Sequence, residues 1–158
     1  RGQALVAACL DLVFKEVRTT RVNDPSRRWP GDVVVQADKT NVLAVEVKQR
    51  PANSTEILQF AERCAQMNVH RAIAATLDPD QGLLYVDELR QEAWRRHGVH
   101  LSILEDASDL VHAALTWTSR PLSEALAELP QLMATRLEEV EVSPEGLAAW
   151  AALFKEKP

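Results

Sequence analysis

The chain is predicted to fold as an α/β domain with a mixed central sheet flanked by helices. Three features of its 158 residues predict this. An amphipathic stripe opens the chain. Two runs of β-branched residues then face each other across a turn, as an antiparallel hairpin does. Strand and helix periodicities alternate after the hairpin, which requires crossovers and helices on both faces of the sheet.

Each element follows from local pattern. The first helix is expected over Gln3–Val17, where Leu5, Val6, Cys9, Leu10, Val13, Phe14 and Val17 recur at helical spacing. Asn23, Asp24, Pro25 and Ser26 break the chain. Val33–Gln36 is the first hairpin strand, and the turn ADKTN follows. In Val42–Lys48, Leu43, Val45 and Val47 point to one face and Val42, Ala44, Glu46 and Lys48 to the other. Pro51 ends that strand, and Asn53 or Ser54 caps a helix reaching about Met67, with Glu56 in its first turn. Ala72–Leu77 reads as a buried strand, Val86–His97 as a helix closed by Gly98, Val99–Leu104 as a strand and Ala107–Thr116 as a helix. Two more helices are expected over Pro121–Val140, kinked or split at Pro130, and Ser143–Lys155, with Ser143 as cap and Pro144 as first helical residue. Residues 1–117 would form the core and 118–158 a helical extension packed on it.

Composition excludes several classes of function. No apolar run reaches the ~18 residues of a membrane span, and no leader pattern is visible. Cys9 and Cys64 lie far apart in apolar helical patterns, as reduced core residues do. A soluble protein of a reducing compartment is therefore expected. His70, His97, His100 and His112 show no metal-ligand spacing, and neither a G-x-S-x-G context nor a phosphate-cradling glycine loop is present. The net charge of −5 does not advertise a nucleic-acid partner, but its distribution is uneven. Lys15–Arg50 holds 8 basic and 5 acidic residues, whereas Pro51 to the end holds 9 basic and 17 acidic. The chain begins with Arg1, so a piece of a longer protein is expected, with an N-terminal part that would carry specificity.

The basic surplus surrounds an unusual hairpin. Glu46 and Lys48 share a strand face, ~6.6 Å apart along the strand, although neither favours strands. On a helix-covered face, two desolvated charges cost several kcal/mol unless paired or metal-bound; on a wet face they cost little. Asp32 stands at the mouth of the partner strand. A four-residue loop pairing Ala37 with Val42 would set Asp32 opposite Val47, away from Glu46 and Lys48. An odd loop or a bulge would bring it to their face. Converging carboxylates suit Mg²⁺, which can activate water and stabilise charge on a phosphate, with the lysine positioning or deprotonating the water.

The residues Pro30-Gly31-Asp32 and Glu46-Val47-Lys48 resemble the PD-(D/E)xK nuclease motif, with one residue inserted between Pro and Asp. The element order resembles that superfamily's restriction-endonuclease-like α-β-β-β-α-β core, here with extra C-terminal helices. From about Arg28 to the C-terminal VSPEGLAAWAALF, the chain is similar to the SacI-type family of type II restriction endonucleases. The resemblance implies Mg²⁺-dependent hydrolysis of double-stranded DNA, leaving 5′-phosphate and 3′-hydroxyl ends, in a prokaryotic cytoplasm and in defence against foreign DNA. A palindromic target would imply a homodimer. Asp32 and Glu46 would bind the metal, joined by the Val47 carbonyl and by a first-helix acid, Glu16 or secondarily Asp11. Lys48 would be the catalytic lysine. Gln59, on the following helix, would add a polar group.

Arg27, Arg28, Trp29 and Arg50 flank the motif and are the expected DNA contacts; a solvated loop is the plain alternative. Trp94, Trp117 and Trp150 read as core or interface residues. Two rival functions stay open: a non-catalytic DNA-binding or assembly module of the same fold, and a structural interaction domain using the acidic helical half Leu122–Phe154.

Overall fold

The computed structural model describes residues 1–20 and 29–152. Its elements are α1 (Gly2–Asp11), β1 (Val17–Thr19), β2 (Val33–Ala37), β3 (Thr40–Lys48), α2 (Ser54–Gln66), β4 (Arg71–Thr76), α3 (Val86–His97), β5 (His100–Leu104), α4 (Ala107–Trp117), α5 (Leu122–Glu139) and α6 (Pro144–Ala152). The five strands form one sheet in the order β1-β2-β3-β4-β5. The pairs β1/β2 and β2/β3 are antiparallel, while β3/β4 and β4/β5 are parallel. This mixed sheet with flanking helices is consistent with a restriction-endonuclease-like core.

Two helical layers enclose the sheet. On one face α2 and α3 bury Ile57, Phe60, Ala61, Cys64, Leu89 and Ala93 against Val34, Ala44, Ala72, Ala74, Leu101 and Ile103. On the other, α1 and α4 bury Val6, Cys9, Leu10, Leu110 and Ala114 against Val33, Val35, Leu43, Val45, Ile73 and Ala75. The alternation along β3 is thus resolved: Leu43, Val45 and Val47 face α1, and Ala44 faces α2. Helix α5 lies on the outside of α1, where Met133, Leu137 and Val140 meet the small Ala4 and Ala8.

Two expectations need correction. The first helix ends at Asp11 rather than Val17. The N–H groups of Val13 and Phe14 both turn back to the Leu10 carbonyl, and Val17 starts β1 opposite Val35. The apolar spacing misled because Val13, Phe14 and Val17 reach the α1-side core from a turn and a strand, not from the helix. Periodicity does not reveal the short strand β1. At Pro130, where a kink or a split was expected, the split does not occur: α5 continues through the proline. Elsewhere the caps behave as their chemistry dictates. Asn53 and Glu56 form a reciprocal capping box on α2, and Gly98 ends α3 in the left-handed region at φ 64°.

The hairpin register decides which face Asp32 occupies. Its turn is two residues, Asp38 and Lys39, both at positive φ, as a hairpin turn matched to the strand twist requires. Ala37 then pairs with Thr40 and Gln36 with Asn41. That register, continued unbroken, would set Asp32 opposite Val45 on the α1 face. A bulge intervenes between Val35 and Gln36: Val35 pairs with Leu43, and Val42 is left as the extra residue. Beyond the bulge Val34 pairs with Ala44 and Val33 with Val45. The next position places Asp32 opposite Glu46, on the α2 face.

Candidate active site

Asp32, Glu46 and Lys48 come together at the end of the sheet where β2 stops and β3 and β4 run on. Glu46 is ion-paired through both oxygens. Its Oε1 lies 2.9 Å from Lys48 Nζ, and its Oε2 lies 3.2 Å from Arg63 Nη2 on α2. The Glu46 and Lys48 side chains are 15% and 18% exposed, so the cluster is mostly but not wholly withdrawn from water. Two half-desolvated cations on one carboxylate are a weak route to stability. A hydrophobic pair would pack at lower cost on this face.

Asp32 is held by both ends of its residue. Its carbonyl accepts hydrogen bonds from Thr20 N (2.9 Å), Thr20 Oγ1 (3.2 Å) and the Gln3 side chain on α1 (3.0 Å). Its Oδ2 accepts the Val47 N–H at 2.7 Å. The Asp32 backbone faces β1, so the Val47 N–H would meet Gly31 if the ladder continued. The carboxylate takes that place. Strand geometry also turns the Val47 carbonyl toward the space beyond the end of β2, beside Asp32. Burial raises the Asp32 pKa above its ordinary value of 3.8; the Val47 hydrogen bond opposes this, and nearby Glu46 adds to it.

The segment before Asp32 fits tightly. A Cβ on Gly31 would stand 2.5 Å from the Val45 carbonyl oxygen, so the backbone approach here requires glycine. The Pro30 carbonyl accepts a hydrogen bond from Arg63 Nε at 3.3 Å. On β4, Thr76, opposite Lys48, is fully buried and donates to the Leu104 carbonyl at 3.2 Å.

The remaining predicted residues are distributed differently. Glu16 is not on α1. It precedes β1, where its carbonyl accepts the Gln36 N–H, four residues and ~13 Å along β2 from Asp32. Asp11 ends α1 but is held by Arg136 of α5, through Nε and Nη2 at 2.7 Å each. The structure therefore brings neither acid to the cluster. Arg50 is 63% exposed and is ion-paired with Glu56. Gln59 is exposed on α2, one turn before Arg63. Trp29 is half-buried against the α2-side core and lines a pocket of about 490 Å³ with Val17, Arg18, Thr19, Arg136 and Glu139. Arg27 and Arg28 lie outside the described residues.

Four contributors escaped sequence reasoning: Gln3, Gly31, Thr76 and Arg63. Only Arg63 left a usable signal, as a cation beside the buried Phe60 and Cys64 on an otherwise apolar helix stripe.

The donor set defines what the cluster can hold. Among the described residues no three His, Cys, Asp or Glu side chains gather as a metal cage. Burial pushes the Cys9 and Cys64 thiols up to about 12, which keeps them protonated core residues. What converges is a pair of carboxylates, hard oxygen donors of the kind Mg²⁺ accepts while keeping several waters. The residues therefore fit such an ion.

No family model matches the chain. Over 155 residues it is 32% identical to the type II restriction enzyme SacI of Streptomyces achromogenes, an alignment covering 98% of this chain and 43% of that enzyme. The chain thus spans less than half the length of this relative. No helix among the described residues is long and apolar enough to cross a membrane.

Proposed function

We propose that the Asp32–Glu46–Lys48 cluster is the catalytic centre of a Mg²⁺-dependent DNA endonuclease of restriction type. The observation that carries this reading is the bulge that turns Asp32 onto the face of Glu46 and Lys48, within a chain related in sequence to part of a type II restriction enzyme. The reading includes the PD-(D/E)xK assignment of these residues.

Asp32 and Glu46 would hold the ion, with the Val47 carbonyl as a third oxygen. When bound, Mg²⁺ supplies positive charge to the scissile phosphate and a more acidic water. The protein's own part is placement. Four hydrogen bonds fix Asp32 before any ligand arrives, so little reorganisation is needed at the moment of reaction. Lys48, set by Glu46 at 2.9 Å, orients the attacking water and offsets charge on the phosphate. The products would carry 5′-phosphate and 3′-hydroxyl ends. Arg50 and Trp29, with Arg27 and Arg28, would contact the DNA backbone, and a palindromic target would engage two copies of the chain.

A second reading is a DNA-binding module of the same fold without activity. It is favoured by Glu46 having both oxygens already ion-paired and by the lack of a third acid at the cluster among the described residues. Incubating the chain with duplex DNA in Mg²⁺, and separately in Ca²⁺, decides between them. Nicked or cut product in Mg²⁺ and binding without cleavage in Ca²⁺ are expected. Tight duplex binding with no cleavage in Mg²⁺ would favour the second reading.

A further inference from the structure

Arg63 ties together parts of the cluster that come from different elements. Its Nε donates to the Pro30 carbonyl at 3.3 Å, just ahead of Asp32. Its guanidinium rests 5.7 Å from the centroid of the Phe60 ring. Its Nη2 reaches Glu46 Oε2 at 3.2 Å, and the side chain is 38% exposed. Two of these contacts are neutral and fix the plane of the group. The third is to a carboxylate that the proposed function assigns to a divalent cation.

The charges make that third contact conditional. Asp32, Glu46, Lys48 and Arg63 sum to zero formal charge. A divalent cation raises the sum to +2 and competes with the guanidinium for Glu46. Arg63 would remain tethered through Pro30 and Phe60, with its Nη edge released toward solvent. A planar fork of N–H donors at the rim of a positive site matches a phosphate group. A partly desolvated ion pair is a weak source of stability, so anchoring α2 is a poor reason for its placement.

We infer that Arg63 exchanges partners: it holds Glu46 in the free protein and passes to a DNA backbone phosphate when a divalent cation takes Glu46. Cation binding and DNA binding are thereby coupled. The inference rests on the nuclease reading of the cluster.

The test compares wild type, Arg63→Gln and Arg63→Lys in two measurements. One is Ca²⁺ affinity by calorimetry without DNA. The other is affinity for a mixed-sequence duplex over a salt series, with and without Ca²⁺. Removing the competing cation in Arg63→Gln should tighten Ca²⁺ binding roughly two- to fivefold. The same variant should bind duplex more weakly in Ca²⁺, with a log–log salt slope shallower by about 0.9, and show an unchanged slope without divalent cation. Arg63→Lys keeps the charge, so Ca²⁺ affinity and salt slope should stay near wild type; it also serves as the control should the glutamine variant melt early. A tether that merely braces the fold would weaken Ca²⁺ and DNA binding together, and that result overturns the exchange. Wild type binding both ligands, with Arg63→Gln indistinguishable from it, overturns the exchange alone. Wild type binding neither Ca²⁺ nor duplex overturns the nuclease reading and the exchange with it.

Discussion

The Asp32 carboxylate accepts the Val47 N–H at 2.7 Å, closing the mouth of the β2–β3 hairpin with a side chain where a ladder would use a peptide group. This bond places one carboxylate oxygen beside the backbone of the strand that carries Glu46 and Lys48. It also offsets part of the cost of burying that acid, which on balance still raises its pKa. A residue so placed is expected to trade stability for function.

Asp32→Asn tests that trade. Because burial raises the folded pKa above 3.8, the folded state binds the proton more readily than the unfolded state. Stability from this group is therefore present at low pH and is lost as pH rises from about the ordinary carboxylate value through the raised one. Asparagine keeps the acceptor for Val47 and removes the charge. The variant should be as stable as wild type or more so at neutral pH, by up to about 1 kcal/mol, or about 2–4 °C in melting temperature. Its stability should also depend less on pH in that window. Cleavage and Ca²⁺ binding should be lost. A strongly destabilised Asp32→Asn protein at pH 7 would show that the carboxylate is structural.

Lys48→Ala should separate binding from chemistry. Arg63 still pairs with Glu46 in the free protein, so the fold should survive. Duplex affinity in Ca²⁺ should survive because Asp32, Glu46 and Arg63 are untouched, while the cleavage rate in Mg²⁺ falls by about 10²-fold or more. Single-turnover cleavage beside a binding assay reads both. Full activity in this variant would remove the lysine from the mechanism.

Gly31→Ala addresses the approach of β2 to β3. The added Cβ meets the Val45 carbonyl at 2.5 Å, and backbone cannot yield as a flexible side chain does. The expected cost is about 1–3 kcal/mol. Displacing Asp32 should lower activity further than the stability loss explains. A melting curve and a cleavage rate taken well below the transition distinguish the two effects.

Asp11→Ala and Glu16→Ala test whether either acid joins the site. Asp11 binds Arg136 through two short hydrogen bonds, and Arg136 also reaches the Val17 carbonyl at 3.1 Å. Its loss should cost about 1–3 kcal/mol while leaving cleavage and Ca²⁺ affinity unchanged. Glu16→Ala should change neither stability nor activity measurably. Loss of Ca²⁺ binding in either variant would return that acid to the site.

Much of the frame was readable from local pattern. The buried strand β4, the capped helix α2 and the glycine stop of α3 follow from apolar runs and cap chemistry that act within a few residues. The break between α1 and β1 was not readable, since Val17 satisfies helical spacing and strand pairing alike. Arg63 showed only as a cation beside the buried Phe60 and Cys64; its partner could not be read, because nothing in the sequence near either residue specifies which helix face meets Glu46.

The sequence by itself determined which groups were available: an aspartate before one strand, Glu46 and Lys48 alternating on the next, and a basic surplus around them. Tertiary structure decided which of them meet. A two-residue turn alone would have sent Asp32 to the α1 face, and the extra residue Val42 sends it to Glu46. The same packing drew Asp11 to Arg136 and Arg63 to Glu46. Side chains alternate with a period of two along a strand, so a register changed by one residue reverses every face. Register is set by pairing across the sheet, and no stretch of local sequence fixes it.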